Sequence, residues 1–324
     1  MAAVAVEPDI LLPPADVVAR IAAFAPALDQ VVAPKELDRN LLVGSWNLRA
    51  FGGLTKKWQS IEGDSPRRDL ADVLAIASVL SRFDVVAVQE VRSNLRALRH
   101  LLKALGPDWG FTLTDATRGT AGNDERLAFL FDTRRVTPSG LACELVVPDD
   151  DPRVPPGAFA RQFARTPYAV SFVSGGKTFI LVTLHVVYGK TPADRVGELK
   201  GIAEWLAGWA SEAAEWGHNL ICLGDFNIDR KDDPLWQAFT STGLSAPPAL
   251  NDVPRTIFDD PAAGHFYDQI AWFVDDAKGP ALSLACTDAG SFDFVPLWQA
   301  DETTTQLSWR ISDHYPLWVE FSVK

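Results

Sequence analysis

Short apolar runs recur along the chain, and polar residues stand at an end of each one. The runs are four to eight residues long and rich in Val, Leu and Ile, as is typical of buried strands. They lie at residues 41–48, 85–88, 179–184, 220–223, 270–273 and 318–321, with further short runs at 111–114, 127–131, 168–173 and 281–286. This pattern predicts a protein built around β-strands.

Three stretches between these runs instead repeat apolar residues every three or four positions, the spacing of one helix face. They predict helices over 65–80, 93–105 and 191–210, and residues 15–32 show the same period. Pro66 would stand in the first turn of the first of these helices, where proline is tolerated. Strands that mostly adjoin one another, with few helices between them, predict an α/β fold of two packed β-sheets flanked by helices.

A single domain is predicted over residues 41–324, preceded by an N-terminal helical extension, residues 1–40. The strand pattern continues on both sides of the Pro- and Asp-rich segment 147–157, so this segment is predicted to be a surface loop. The extension lacks the basic start of a secretory signal, and no run reaches the ~20 apolar residues of a membrane helix. The three cysteines are far apart. We therefore expect a cytoplasmic protein without a membrane span or an obligate protein partner.

The acidic balance of the chain restricts the substrates that it can attract. Its 42 acidic and 30 basic residues give a formal net charge of −12. Such a protein does not bind nucleic acid or anionic membranes through its overall charge. A polyanionic substrate would therefore be held by a local group of cations or by bound metal.

The polar residues at the strand ends are of the metal-binding and acid–base kinds. They are Asn47, Glu90, His185, Asp225, Asn227, Asp268, Asp313 and His314. Strand ends are where α/β proteins assemble their sites. Three converging carboxylates, Glu90, Asp225 and Asp313, would repel one another unless a cation lay between them. With the amide of Asn47 they form an oxygen-rich set that suits Mg²⁺, for which Mn²⁺ would substitute.

Two histidines supply groups that exchange protons near neutral pH, His185 and His314. A histidine in this role is usually oriented by a carboxylate, and Asp268 and Glu125 remain for it. Hydrolysis of a phosphate ester requires an activated water, a screened anion and a protonated leaving group. The candidate catalytic set is therefore His185, His314, Asp225, Asp268, Glu125 and Asn227.

The ordered motifs resemble the endonuclease/exonuclease/phosphatase superfamily, and within it most closely the deoxyribonuclease I branch. This resemblance implies Mg²⁺-dependent phosphoesterase activity and a four-layered α/β sandwich, and it covers residues 41–321. The motifs that carry it are Trp46-Asn47-Leu48, Gln89-Glu90-Val91, Glu125-Arg126, Thr183-Leu184-His185, Gly224-Asp225-Phe226-Asn227, Tyr267-Asp268-Gln269-Ile270 and Ser312-Asp313-His314. The chain lacks the cysteine pair of secreted deoxyribonucleases, which disfavours an extracellular role.

The resemblance also implies roles for individual residues. Glu125 would pair with His185, and Asp268 with His314. Asn47, Glu90 and Asp313 would surround the metal, while Asp225 and Asn227 would contact the metal, the attacking water or the scissile phosphate. Arg165, in Arg165-Thr166-Pro167, would bind the phosphate. Either Asp225 or the Asp268–His314 pair could activate the water, and the sequence does not decide between them.

Three functions are compatible with these residues. The first is a DNA endonuclease that hydrolyses phosphodiester bonds. The second is a phosphatase or phosphodiesterase for small-molecule or lipid head-group phosphates, which the net charge of −12 favours mildly. The third is a binding module that retains the fold without catalysis, although every expected motif position is filled.

Overall fold

The structure is a computed structural model that describes residues 7–119, 122–146, 163–215, 219–259, 264–274, 282–298 and 301–324. The predicted loop at 147–157 lies outside these ranges. The helices are α1 (Ala15–Ala22), α2 (Phe24–Val31), α3 (Leu70–Leu80), α4 (Arg96–Leu105), α5 (Ala193–Glu215), α6 (Pro234–Thr240) and α7 (Thr304–Arg310). The strands are β1 (Asn40–Phe51), β2 (Val85–Arg92), β3 (Trp109–Leu113), β4 (Glu125–Asp132), β5 (Thr137–Glu144), β6 (Tyr168–Ser174), β7 (Lys177–His185), β8 (Asn219–Asp225), β9 (Leu244–Ser245), β10 (Asp268–Phe273), β11 (Ala285–Ser291) and β12 (Leu317–Ser322).

Within the described residues, the strands form two six-stranded sheets with the same internal plan. The first sheet has the order β11-β12-β1-β2-β4-β3, and the second has the order β5-β6-β7-β8-β10-β9. The two central strands of each sheet are parallel, β1 with β2 and β7 with β8. The neighbours on either side are antiparallel. A helix joins the two strands of each parallel pair, as parallel strands require. In each sheet, the carboxyl ends of the two central strands therefore lie at one edge.

The molecule has four layers because each sheet is apolar on both faces. Alternate residues of both sheets, including Phe129, Phe172 and Val319, meet in one core between the sheets. The opposite face of the first sheet packs against α1 to α4. The outer face of the second sheet packs against α5 and α6. The predicted four-layered α/β sandwich, with two packed β-sheets flanked by helices, is thereby confirmed.

Several element boundaries differ from the prediction. Residues 15–32 form two helices rather than one, with a break at Ala23. Helix α3 begins at Leu70 rather than near Pro66, because the side chain of Asp69 caps it by accepting hydrogen bonds from the amides of Ala71 and Asp72. The periodicity did not reveal β5, β9, α6 or α7, and the strand expected at 281–286 is β11, further along the chain.

Strand β5 lies at the edge of the second sheet and is irregular. It contains Pro138, and Gly140 has a positive φ of 120°. Its register with β6 shifts between Pro138 and Ala142.

The helices in the described ranges include none that is long and apolar enough to cross a membrane.

Candidate active site

Asp225 lies at the centre of the predicted residues. It ends β8, and its strand register places it beside His185 on β7 and Asp268 on β10. The backbones of β7 and β8 approach closely here, because Gly224 has no side chain. A Cβ atom on Gly224 would lie 2.1 Å from the carbonyl oxygen of Leu184, and its φ of 143° also favours glycine. The glycine therefore lets three polar strand ends meet.

Each oxygen of the Asp225 carboxylate has a defined set of neighbours. Its Oδ1 accepts a hydrogen bond of 3.0 Å from the amide of Asn227, and its Oδ2 accepts one of 3.0 Å from Asn47 Nδ2. The same Oδ2 lies 3.4 Å from Nε2 of His185 and 3.9 Å from Nε2 of His314. Burial alone would raise the pKa of Asp225, but the charges of the two histidines outweigh it and lower this pKa.

His185 is placed against Glu125, which begins β4 in the other sheet. His185 Nδ1 lies 3.2 Å from Glu125 Oε2. The same oxygen lies 2.5 Å from Nε of Arg165, so the predicted phosphate-binding arginine forms an ion pair with this carboxylate. Burial acts to raise the pKa of Glu125, but contacts with His185 and the charge of Arg165 lower it overall. Glu125 therefore lies against Nδ1 of His185, the position in which the resemblance predicts it.

His314 forms a second and closer pair with Asp268. His314 Nδ1 and Asp268 Oδ2 are 2.6 Å apart, and both side chains are buried. Burial raises the pKa of Asp268 to about 6, although the neighbouring His314 opposes this change. Burial would lower the pKa of the His314 imidazole, but Asp268 and then Asp225 and Asp313 raise it well above its usual value. Asp268 and the imidazole of His314 thus form a close, buried pair.

The remaining predicted residues lie at the carboxyl ends of β1 and β2 and before β12. Asn47 Nδ2 donates to Glu90 Oε1 at 3.2 Å as well as to Asp225. Glu90 has a φ of 62° and accepts a hydrogen bond of 2.7 Å from the amide of Ala50. Asp313 Oδ2 lies 3.0 Å from Nη1 of Arg49. Asn47 therefore links Glu90 to Asp225, whereas the contact given for Asp313 is with Arg49.

Asn227 is fixed beside Asp225 by the loop that follows β7. Its φ is 50°, a conformation that asparagine tolerates better than most residues. Its Nδ2 donates to the carbonyl of Val186 at 2.7 Å, and its own carbonyl accepts from Arg195 Nη1 at 2.6 Å. Asn227 therefore joins the chain segments that follow β7 and β8.

The donor chemistry at the Asp313 end fits Mg²⁺. Glu90, Asp225, Asp313 and Asn47 offer oxygen ligands of the kinds that Mg²⁺ takes. Asp313 Oδ1 is buried without a hydrogen-bond partner among the described residues, and such an atom is costly unless a cation or donor satisfies it. Burial raises the pKa of Asp313 against the charges of His314 and Arg49. Across the described ranges, no three His, Cys, Asp or Glu side chains form a metal cluster.

Two arginines at the site were not predicted. Arg49 pairs with Asp313, donates to Ser308 Oγ at 2.8 Å and stacks on the Trp309 ring, with Cζ 4.0 Å from the centroid. Arg92 Nη2 lies 3.8 Å from Glu90 and 3.4 Å from Glu125. Each arginine follows a predicted site residue by two positions, Asn47 and Glu90. That short spacing is the signal that could have revealed them.

The class of protein follows from sequence comparison, which agrees with this fold and site. A profile of the Endonuclease/Exonuclease/phosphatase family matches residues 44–314. The chain belongs to this family, whose members are phosphoric ester hydrolases. The resemblance predicted from the strand-end motifs is thereby confirmed.

Individual relatives place the chain more closely. A deoxyribonuclease of Thioalkalivibrio sp. (strain K90mix) is 28% identical over 304 residues, which are 90% of this chain and 73% of the relative. Deoxyribonuclease-1 of Sus scrofa is 28% identical over 94% of this chain and 99% of its own length. Among solved structures, a mannosyl-6-phosphatase from Bacteroides thetaiotaomicron superposes with a TM-score of 0.56 at 20% identity, over 87% of this chain and 99% of the other. That last likeness shows the shared fold.

Proposed function

We propose that this protein is a Mg²⁺-dependent phosphodiesterase that acts as a DNA endonuclease. One observation carries the proposal: two imidazoles, each backed by its own carboxylate, direct Nε2 at the same oxygen of Asp225. The distances are 3.4 Å for His185 and 3.9 Å for His314. A scissile phosphate between the histidines would have a proton donor on one side and a proton acceptor on the other. The names of the deoxyribonuclease relatives support DNA as the substrate.

The residues divide the hydrolysis between them. Arg165 and Asn227 hold the phosphate, and Asp225, supported by the Asp268–His314 pair, accepts a proton from the attacking water. The oxygen of that water forms a bond to phosphorus as the P–O bond to the leaving group breaks. His185, oriented by Glu125, gives its proton to the departing oxygen. When bound by Glu90, Asn47, Asp313 and Asp225, Mg²⁺ would supply positive charge to offset that of the phosphate.

A second candidate is a phosphatase or phosphodiesterase for a small phosphate ester. The net charge of −12 favours it, because a long polyanion is repelled by most of this surface. The same catalytic residues would serve, and only the loops around them would differ.

Hydrolysis of supercoiled plasmid separates the two candidates. We expect nicking with Mg²⁺ or Mn²⁺ that a chelator stops and that Asp225→Ala abolishes, because this variant removes the oxygen that both histidines face. Asp29→Ala is the matched control, since this exposed aspartate of α2 pairs with Arg82 and contacts none of the proposed catalytic residues. Intact plasmid, together with turnover of a simple aryl phosphodiester, would reject the nuclease and favour a small substrate.

A further inference from the structure

A basic cavity lies next to the site at the start of α4. Its volume is about 420 Å³, and Ser93, Asn94 and Leu95 line it together with Arg96, Arg99 and His100 from the helix. A volume of this order accommodates a small ligand. The remaining lining residue is Glu7, from the N-terminal extension outside the family match.

The carboxylate of Glu7 enters the cavity and faces its basic groups. Glu7 Oε1 lies 3.1 Å from His100 Nε2 and 3.9 Å from Arg96 Nη1. Glu7 Oε2 lies 3.0 Å from Nζ of Lys56, which belongs to the segment between β1 and α3. Among the described lining residues, Glu7 is the single acidic side chain. The carboxylate of Glu7 therefore occupies a cavity whose other charged or titratable side chains are basic.

This anion is weakly held. The side chain of Glu7 is one-third exposed, and those of Lys56 and Arg96 are more exposed. Ion pairs between such solvated side chains add little to stability, because water screens them and the long side chains lose entropy. Nearby, Asp9 makes one similar contact, 2.7 Å from Lys103. A second anion could therefore displace Glu7 at low cost.

The cavity is within reach of the substrate backbone. Arg92, which contacts both Glu90 and Glu125, is followed directly by Ser93 in the cavity wall. Ser93 is three positions after Glu90, so their Cα atoms are at most about 11 Å apart. Phosphates along one DNA strand rise by about 3.4 Å per residue. A DNA strand that passes Glu90 would therefore reach this cavity within a few phosphates.

We infer that the cavity at α4 is a second phosphate-binding site for the substrate backbone, and that Glu7 occupies it until a phosphate replaces it. The site would supply local cations to a chain of net charge −12. The inference rests on the proposed function for its polyanion, DNA, and it concerns binding rather than the bond that is cut.

Binding of a fluorescein-labelled DNA duplex to the full-length protein tests this, measured by anisotropy with a chelator so that no cleavage occurs. Glu7→Gln removes the competing charge and keeps the side-chain size. It should tighten binding by about two- to tenfold and steepen the salt dependence by about one unit of slope. Glu36→Gln is the matched control, because Glu36 pairs with exposed Arg39 before the opposite end of β1, and it should leave binding unchanged.

A second set of variants identifies the cavity itself. In the Glu7→Gln background, Arg96→Gln with Arg99→Gln should return the affinity and the salt slope to those of the unaltered protein. The same affinity for Glu7→Gln and Glu36→Gln, or tightening that survives loss of both arginines, would overturn the inference. Tightening in a protein that leaves plasmid intact would support the cavity and reject the endonuclease. Plasmid nicking without tighter DNA binding by Glu7→Gln would support the endonuclease and reject the cavity as a phosphate site.

Discussion

At the scale of single residues, the two histidines share one carboxylate but differ in their surroundings. His185 Nδ1 faces Glu125, which also pairs with Arg165, the residue proposed to hold the phosphate. His314 instead faces buried Asp268 and lies next to Asp313. This asymmetry supports the proposal that His185 protonates the leaving group and that His314 acts on the side of the attacking water.

His185→Ala should therefore distinguish between leaving groups. We expect a loss in kcat of about 10²- to 10⁴-fold on an alkyl phosphodiester, whose departing oxygen needs a proton. The loss on an activated aryl diester should be much smaller, since an aryl oxide leaves without one. His314→Ala is the comparison, and it should reduce both rates alike. Equal losses in kcat on the two esters with His185→Ala would contradict a role for His185 as general acid.

The local sequence carries information on some of these residues and not on others. Glu90 and Asp225 each end an apolar run, so their functional position can be predicted from a few neighbouring residues. The ion pair of Arg49 with Asp313 joins residues that are distant in sequence, and no local pattern encodes it. Local sequence patterns also do not encode which carboxylate pairs with each histidine, because that depends on the tertiary packing.

At the scale of elements, Arg310 joins helices that the sequence separates widely. It is the last residue of α7 and is 2% exposed. Its Nη1 donates to Asp69 at 2.9 Å and to Ser60 Oγ at 2.8 Å, and its Nε donates to Glu302 at 2.6 Å. Asp69 is the cap of α3, so the start of this helix depends on a residue 241 positions away. The capping residue that sets the start of α3 is thus also held by a contact that no local pattern predicts.

Arg310→Met should destabilise the protein by about 3–5 kcal/mol, because it leaves a buried carboxylate without its partner. The free energy of unfolding in urea measures this loss. Arg39→Met is the matched control, since Arg39 makes an exposed pair with Glu36, and its effect should stay within about 0.5 kcal/mol. A similar small change for both variants would show that Arg310 does not stabilise the junction of α3 and α7.

At the scale of the whole molecule, the candidate active site depends on the packing of one sheet against the other. Glu125 and Asn47 come from the first sheet, whereas His185, Asp225 and Asp268 come from the second. Phe172 is a central contact between them, with its ring 5.9 Å from that of Phe129 and 5.4 Å from that of Phe131. The candidate site therefore forms only when the two sheets pack against each other.

Phe172→Ala should lower stability by about 3–5 kcal/mol through the cavity that it leaves. We expect the urea midpoints of activity and of tryptophan fluorescence to fall together, while kcat in the absence of urea stays unchanged. Activity that disappears well before the fluorescence changes would indicate that the two sheets do not separate in one cooperative step.

The irregular strand β5 has a consequence for how copies of this protein behave in concentrated solution. Among the described residues it pairs with β6 alone, so its other side presents backbone groups that could recruit a strand from a second molecule. Pro138 offers no amide hydrogen there, and the break in register up to Ala142 interrupts the row of donors and acceptors. The edge is thus a poor template for strand addition, which protects the protein against aggregation through this sheet.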